Sequence, residues 1–149
     1  MTHKPLKPGE EATDVALGAD AVLGFVGHVE TPWKTLAECP KRADPDGPES
    51  RVVLAAPWDR ALAGVERFEW VELFLWFHRA RRDLLLIAPS HADGPRGVFS
   101  LRSPVRPNPV AVTTVRLIAR EGAVLRVAGL EALDGTPLLD VRPGRCPYA

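Results

Sequence analysis

The chain has 149 residues, of which 46% are hydrophobic and 26% are charged, and its formal net charge at pH 7 is zero. These values suit one globular domain with a hydrophobic core, and they exclude a disordered chain. They also give no support to a strongly basic nucleic-acid binder, although six arginines and a single acid lie between residues 96 and 126 and could form a local positive face.

The cellular setting follows from what the sequence lacks. Two cysteines are too few for a disulfide framework or a metal site, so we expect free thiols in a reducing compartment and no bound metal. The N-terminus has no apolar signal segment, and no apolar run approaches the ~20 residues of a membrane helix. We therefore expect a cytoplasmic protein that does not enter a membrane.

The first part of the chain is predicted to be a leader followed by two strands and a short helix. Residues 1–20 are polar and show no amphipathic period, which predicts a flexible leader ahead of a folded domain at 21–149. Pro57 suits the start of a helix, where its missing N–H is not needed. The expected order is a strand over 21–29, a loop over 36–50, a strand over 51–56 and a helix over 57–62.

The middle of the chain holds the most hydrophobic run, residues 68–77. Its aromatic and bulky side chains favour a central strand, with a helix as the rival reading because its period is not clean. Further strands are predicted over 83–89 and, as an antiparallel pair turning at Glu121-Gly122, over 109–119 and 124–130.

A proline-rich segment, Gly97–Pro109, separates these strands and dominates the sequence. Its three prolines restrict φ, remove backbone donors and push the preceding residues into extended geometry, so the segment is predicted to be neither helix nor interior strand. Polar groups occupy most of the remaining positions, which favours a rigid loop that holds a ligand at little entropic cost. The alternative is a proline-rich connector with solvated arginines.

The segment GVFSLRSPVRPNPVAVTTVRL, residues 97–117, resembles the motif GVFATRSPxRPNPIGLSxVRL of the TsaA-like (TrmO) family. The resemblance extends in four ordered blocks from about Leu23 to Pro143. It implies a mainly β, small single-domain β-barrel with one or two short helices and long loops. It further implies an S-adenosyl-L-methionine (SAM)-dependent methyltransferase acting on the N(6) of threonylcarbamoyladenosine beside a tRNA anticodon.

The resemblance also implies which residues bind the cofactor. Arg102 and Ser103 would contact the carboxylate or ribose of SAM, the segment Leu130–Leu133 would hold the base through its backbone, and the remaining residues would form an opposite wall. The full set is Pro40, Lys41, Arg42, His78, Arg79, Arg102, Ser103, Leu130, Glu131, Ala132 and Leu133. Taken alone, Pro40–Arg42 also suits an exposed basic turn, and His78 a strand-end histidine with a structural hydrogen bond.

Two departures from the family motif are visible. Pro40-Lys41-Arg42 stands where the family has Pro-Arg-Gln, and Val110–Thr113 stands where it has Ile-Gly-Leu-Ser. The chain also ends where some family members carry an extra C-terminal domain, so we do not expect that domain here.

The methyl-transfer chemistry requires alignment of methyl and nucleophile, and an acceptor for the proton of the substrate amine. The sequence contains no GxGxxG and no Asp-Pro-Pro-Tyr motif, which argues against a Rossmann methyltransferase. Asn108 and Asp140 are the candidate catalytic groups, and each has a structural alternative: Asn108 could orient the loop and Asp140 could be purely structural. Arg106 could bind a substrate phosphate or brace the loop.

The expected partners are tRNA and a second copy of the chain, since small barrels of the resembled family pair as homodimers. Two other functions stay open. One is a non-catalytic SAM- or nucleotide-binding module, and the other is a methyltransferase acting on a small molecule or a protein.

Overall fold

The computed structural model describes residues 4–146, which form nine β-strands and three short 3-10 helices. The strands are β1 (Glu11–Ala12), β2 (Gly27–Glu30), β3 (Glu49–Leu54), β4 (Trp70–Trp76), β5 (Leu84–Ile87), β6 (Arg96–Gly97), β7 (Val110–Glu121), β8 (Val124–Ala128) and β9 (Pro137–Pro143). The 3-10 helices span Trp58–Leu62, Val65–Arg67 and Val98–Ser100. Within this part of the chain no helix is long and apolar enough to cross a membrane.

The chain divides into two compact units. Among the described residues, the barrel unit comprises 23–76 and 111–146, and the small unit comprises 4–22 and 77–110. The sequence-based division into a leader and a domain at residue 21 stays a prediction. In the small unit, β1 pairs with β5, so part of the predicted leader is ordered as a short strand.

Six strands close the barrel in the order β2-β3-β8-β7-β4-β9. The expected β-barrel is therefore confirmed. The hydrophobic run 68–77, predicted to be a strand, forms β4. Val71, Leu73 and Leu75 are each fully buried and alternate with partly exposed neighbours, which is the period of a strand with one face in the core.

The hairpin β7–β8 forms where the sequence predicts it. Glu121 pairs with Val124, and Gly122 takes φ of +64° in the turn, a conformation that glycine adopts without steric cost. A bulge between Leu117 and Ala119 interrupts the register. A short helix also starts after Pro57, as predicted, but as the 3-10 helix Trp58–Leu62.

Two predicted elements differ from the structure. The strand predicted over 21–29 corresponds to β2, which begins at Gly27 because its pairing with β3 and β9 starts there. The proline-rich segment contains one turn of 3-10 helix at Val98–Ser100, although no helix was predicted there. The turn is possible because the prolines begin only at Pro104, so the Leu101 N–H can donate to the Val98 carbonyl at 3.3 Å.

Candidate functional site

The end of the proline-rich loop is tied to the chain that follows β4. The Phe77 N–H donates to the Pro109 carbonyl at 2.9 Å. Arg82 donates through Nε to the Pro107 carbonyl at 2.6 Å and through Nη2 to Asn108 Oδ1 at 3.3 Å. Asn108, a predicted catalytic residue, therefore has its side-chain oxygen engaged in holding the loop, although that oxygen keeps a second lone pair.

His78 and Arg79 lie in the same turn of the small unit, directly after the chain leaves β4. Both side chains are exposed, and neither has a hydrogen-bond or ion-pair partner among residues 4–146. The structural hydrogen bond considered for His78 is thus not seen within these residues. Both groups are available to a ligand.

Arg106 braces the start of the loop from inside. Its Nη1 donates to the carbonyls of Val98 at 3.1 Å and Leu101 at 2.6 Å, and the side chain is half-buried. Ser103 Oγ accepts the Val105 N–H at 3.2 Å. Of the two roles open to Arg106, these contacts support bracing the loop. They leave a role in phosphate binding without structural support.

Arg102, unlike Arg106, has a side chain that is not engaged in the structure. Its side chain is exposed and has no hydrogen-bond or ion-pair partner in the part of the chain that the structure describes. Because the neighbouring turn is held by Arg106, the backbone that carries Arg102 is fixed while its guanidinium stays available. That combination is what a binding residue for an anionic group requires.

In the barrel unit, the segment Leu130–Leu133 presents backbone donors that have no partners among residues 4–146. Its carbonyls are used: Leu130 accepts from Trp33 Nε1 at 3.3 Å, Ala132 from Thr31 Oγ1 at 2.8 Å, and Leu133 from Thr136. The N–H groups of residues 130–133 donate to no acceptor within the described chain. Leu130, Ala132 and Leu133 are at most 7% exposed. Backbone N–H groups of buried residues rarely lack partners, so this row of donors is suited to a ligand.

Glu131 lies in this segment, and its partial burial raises the pKa of its carboxyl above the usual 4.5. The pKa of Asp134, three residues further along the chain, is shifted in the opposite direction. The Lys34 ammonium, 2.6 Å away, and the Thr31 N–H, 2.9 Å away, hold the pKa of Asp134 below 3.8. The segment thus ends in a salt bridge that fixes the turn beside it.

The loop that carries Pro40, Lys41 and Arg42 is anchored near the row of donors. Arg116 donates to the Pro45 carbonyl at 3.0 and 3.2 Å. Gly129, with φ of +89°, lies so close that a Cβ there would be 3.4 Å from the Pro45 Cα. The barrel unit therefore brings the Pro45 end of this loop close to Gly129, the residue before Leu130–Leu133.

The three loop residues differ in burial. Pro40 is half-buried, and Lys41 and Arg42 are exposed without a partner among the residues that the structure describes. The exposed basic turn and a cofactor wall both fit this arrangement.

Asp140, the second predicted catalytic residue, is engaged locally on β9. Its Oδ2 accepts from Arg142 Nε at 3.0 Å and its Oδ1 from the Val141 N–H at 2.9 Å. The Arg142 guanidinium lies 4.4 Å from the centroid of the Phe74 ring. These contacts agree with the structural alternative for Asp140.

The arginine-rich stretch 96–126 is less positive than its sequence indicates. Arg120 pairs with Glu66 at 3.1 Å, and Arg126 pairs with Glu49 at 2.8 Å. Glu66 comes from the 3-10 helix Val65–Arg67 and Glu49 from β3, so no local count of charges includes them. The excess positive charge therefore falls on the members of the stretch without such a partner.

A cleft of about 500 Å³ in the barrel unit was not anticipated from the sequence. It is bounded by the salt bridges Glu30–Arg51 and Lys34–Asp134, each 2.6 Å long, and Ser50 Oγ is buried there without a partner in the described chain. Because its charges are largely paired with one another, the cleft offers a charged ligand fewer unpaired groups than the loop residues do. No group of three His, Cys, Asp or Glu side chains among residues 4–146 could hold a metal ion.

The comparison with known proteins bears on these features. Residues 28–146 match the family model of the tRNA-methyltransferase O (TrmO) N-terminal domain. The chain belongs to this family.

Relatives in the TrmO family carry two kinds of name. A protein of Rhizobium radiobacter, the probable S-adenosyl-L-methionine-binding protein VirR, is 40% identical over 145 residues, which are 97% of this chain and 83% of that protein. A mouse tRNA (adenine(37)-N6)-methyltransferase is 35% identical over 93 residues, which are 60% of this chain and 22% of the mouse protein.

Solved TrmO structures share the fold. One TrmO crystal structure matches with a TM-score of 0.71 and 31% identity over 87% of this chain and 59% of that chain. TrmO from Pseudomonas aeruginosa matches with a TM-score of 0.62 and 30% identity over 87% of this chain and 57% of that one. The chain therefore spans somewhat more than half the length of the solved TrmO chains.

Proposed function

We propose that this chain binds SAM and transfers its methyl group to an acceptor. Membership of the TrmO family and the names of its relatives support the cofactor, and the mouse relative's name supports the transfer. The observation that carries the proposal is the row of N–H donors of Leu130–Leu133 in the barrel unit, which have no acceptor within the described chain.

These residues fit the chemistry of the cofactor. In the barrel unit, the N–H groups of residues 130–133 suit the ring nitrogens of adenine, and Pro40, Lys41 and Arg42 would bound the same ligand. Taken by itself, the small unit offers the exposed guanidinium of Arg102 as a group that would bind a carboxylate, and Ser103, His78 and Arg79 as polar groups. A guanidinium is the favoured partner of a carboxylate because two parallel N–H donors match its two oxygens.

The residues of this chain have to position groups rather than form covalent intermediates. When bound, SAM would supply a methyl group on a sulfonium: the acceptor nitrogen would take the methyl group by in-line displacement, the neutral thioether would leave, and the amine proton would pass to solvent. Asn108 would orient the acceptor amine through the second lone pair of Oδ1, while Arg82 fixes the amide. We assign Asp140 and Arg106 to the support of the strand and the loop, respectively.

The acceptor we propose is the exocyclic nitrogen of an adenosine in tRNA, specifically threonylcarbamoyladenosine beside the anticodon. The test is incubation with labelled SAM and total tRNA from cells that lack the family enzyme, followed by digestion to nucleosides. We expect label in one modified adenosine. Label in no nucleoside, with SAM bound normally, would exclude tRNA as the acceptor.

A second candidate function is a SAM-binding module without catalysis, which the name of the Rhizobium radiobacter relative favours. The same assay separates the two, because such a module retains SAM and labels no acceptor. Label on a protein or a small molecule in a cell extract, with unlabelled tRNA, would indicate the remaining alternative.

The role of Arg102 is tested by Arg102→Ala. Loss of a charge-assisted pair with the carboxylate should weaken SAM binding by about 2–4 kcal/mol, or roughly 30- to 1,000-fold. Calorimetry measures the change, and the thermal midpoint should stay constant because the exposed Arg102 side chain makes no hydrogen bond or ion pair within the described chain. Equal SAM affinity in variant and wild type would refute the assignment.

We further propose that the protein acts as a homodimer in the cytoplasm, where tRNA is found. Exposed apolar side chains such as Trp58, 51% exposed, and Leu36, 70% exposed, support an interface. Light scattering at micromolar concentration should give twice the mass of one chain. A mass of one chain would contradict the dimer.

A further inference from the structure

Phe99 is an unusually exposed aromatic residue in the small unit. Its side chain is 80% exposed, although it sits in the middle of the 3-10 turn Val98–Ser100. Single exposed apolar residues are common and by themselves indicate nothing. Phe99 differs because the surrounding turn is strongly held and carries charge.

The turn that carries Phe99 is fixed by its neighbours. Val98 is 3% exposed and anchors one side, while Ser100 Oγ donates to the Gly97 carbonyl at 2.8 Å. Arg106 donates to two carbonyls of the same turn. The ring is therefore presented on a backbone that has little entropy left to lose on binding.

One face of the Phe99 ring already has a partner. The Arg106 guanidinium lies 5.9 Å from the ring centroid, in cation–π geometry. Since the side chain is nevertheless 80% exposed, the ring still offers a large surface to a second planar group. A ring held between a fixed cation and solvent is suited to stacking.

Unpaired positive charge flanks the ring along the chain. Arg96, three residues before Phe99, and Arg102, three residues after it, are exposed and have no partner among residues 4–146. The span 77–110 contains six arginines and two aspartates, whereas the whole chain is neutral. This span thus carries an excess of positive charge, to which the unpaired side chains of Arg96 and Arg102 contribute beside the turn.

From these observations the geometry points to a binding site for single-stranded RNA: Phe99 stacks on an unpaired base, and Arg96 contacts a phosphate of the same strand. Aromatic platforms beside cationic groups bind unpaired nucleotides because every base has a π-face and every nucleotide a phosphate. The inference rests on the proposed tRNA acceptor and deepens it. It places the unpaired loop of the RNA beside Arg102, the residue proposed to hold the methyl donor.

The test measures the binding of a fluorescein-labelled anticodon stem-loop and of a fully paired RNA of equal length by fluorescence anisotropy. We expect wild type to prefer the stem-loop. Phe99→Ala should weaken stem-loop binding by about 5- to 100-fold and leave the paired RNA nearly unaffected, since a paired base cannot stack on the ring. Phe99→Trp should restore binding, because the larger ring stacks at least as well.

Two further variants complete the design. Phe25→Ala is the matched control, because the same side chain is 52% exposed in the barrel unit, and we expect no change in RNA affinity. Arg96→Ala should weaken both RNAs and reduce the slope of log K against log salt by about 0.7, the value for one phosphate contact on a single strand.

The outcomes are separable from those of the proposed function. If wild type binds SAM but neither RNA, the tRNA acceptor fails and this inference fails with it. If wild type prefers the stem-loop and Phe99→Ala binds it equally well, only the inference is overturned. If Phe99→Ala instead converts a dimer to a monomer in sedimentation velocity, the ring is an interface between copies of the chain and the RNA assignment is wrong.

Discussion

Replacing Arg106 by methionine isolates the side chain that holds the proline-rich loop in place. Methionine keeps a flexible aliphatic stem and removes the guanidinium, so the Leu101 carbonyl loses its donor at 2.6 Å and the Val98 carbonyl loses one of its two donors, at 3.1 Å. The cation–π contact with Phe99 is lost as well. The perturbation thus acts on the order of the loop while it leaves the proposed ligand-binding groups unchanged.

The magnitude follows from these contacts. Hydrogen bonds from a charged donor contribute about 1.5–3 kcal/mol each, and half-burial places these two near the lower end, so we expect a loss of about 2–4 kcal/mol. For a chain of this size that corresponds to a fall of about 5–15 °C in Tm. The amide of Leu101, which donates to the Val98 carbonyl within the turn, should also exchange faster with solvent.

Thermal unfolding and amide hydrogen exchange measure the two effects. Arg96→Met is the matched control, because Arg96 undergoes the same substitution from an exposed position without a partner in the described chain. Its stability should change by no more than about 0.5 kcal/mol. If the two variants unfold at the same temperature and the Leu101 amide stays protected in both, Arg106 does not hold the loop.

Three further predictions concern the barrel unit. Gly27→Ala should destabilise the protein by about 2–3 kcal/mol, because a Cβ there collides with the Val53 carbonyl oxygen, whereas Gly24→Ala has open space around it; equal urea midpoints would contradict this. The lowered pKa of Asp134 means that its ion pair stabilises the fold above pH 3.8 and that this contribution, up to about 1 kcal/mol, is lost as the pH falls through the folded value. Asp134→Asn should therefore be less stable than wild type near neutral pH and equal to it in acid, and a constant difference would exclude the mechanism. The raised pKa of Glu131 has the opposite effect on stability, which falls as the pH rises from 4.5 through the folded pKa. Glu131→Gln should therefore have a higher Tm than wild type near neutral pH, and an unchanged Tm there would refute the burial argument.

Local patterns in the sequence predicted most of the barrel strands, but they did not identify β9, which buries Leu138. β4 was identified from its aromatic and aliphatic residues, and the alternation of Val71, Leu73 and Leu75 confirms the strand. The boundaries of β2 were wrong because a strand ends where its partners end. No local pattern shows that pairing with Leu54 and Leu138 begins at Gly27.

In the candidate site, too, the sequence identified the residues, and the tertiary structure decided their contacts. The motif identified Arg102, Arg106 and Asn108 as a group of polar residues on a stiff loop. Which of them can bind a ligand depends on tertiary contacts. Arg106 donates to backbone carbonyls, Asn108 accepts a hydrogen bond from Arg82, and the Arg102 side chain has no partner within the described chain. Phe99 was part of the motif but was not singled out, because exposure cannot be read from residue type.

By itself, the sequence determined the family and the strand-rich character of the chain, and it located the stiff loop with its polar groups. These features depend on residues that are close along the chain, such as prolines, turn glycines and alternating apolar positions. Only the tertiary structure decided which charged groups are neutralised, since Arg126 and Glu49 are 77 residues apart and Lys34 and Asp134 are 100 apart. Such pairs exist because strand order brings distant residues together, and an ion pair acts only over the few ångströms that the folded barrel provides.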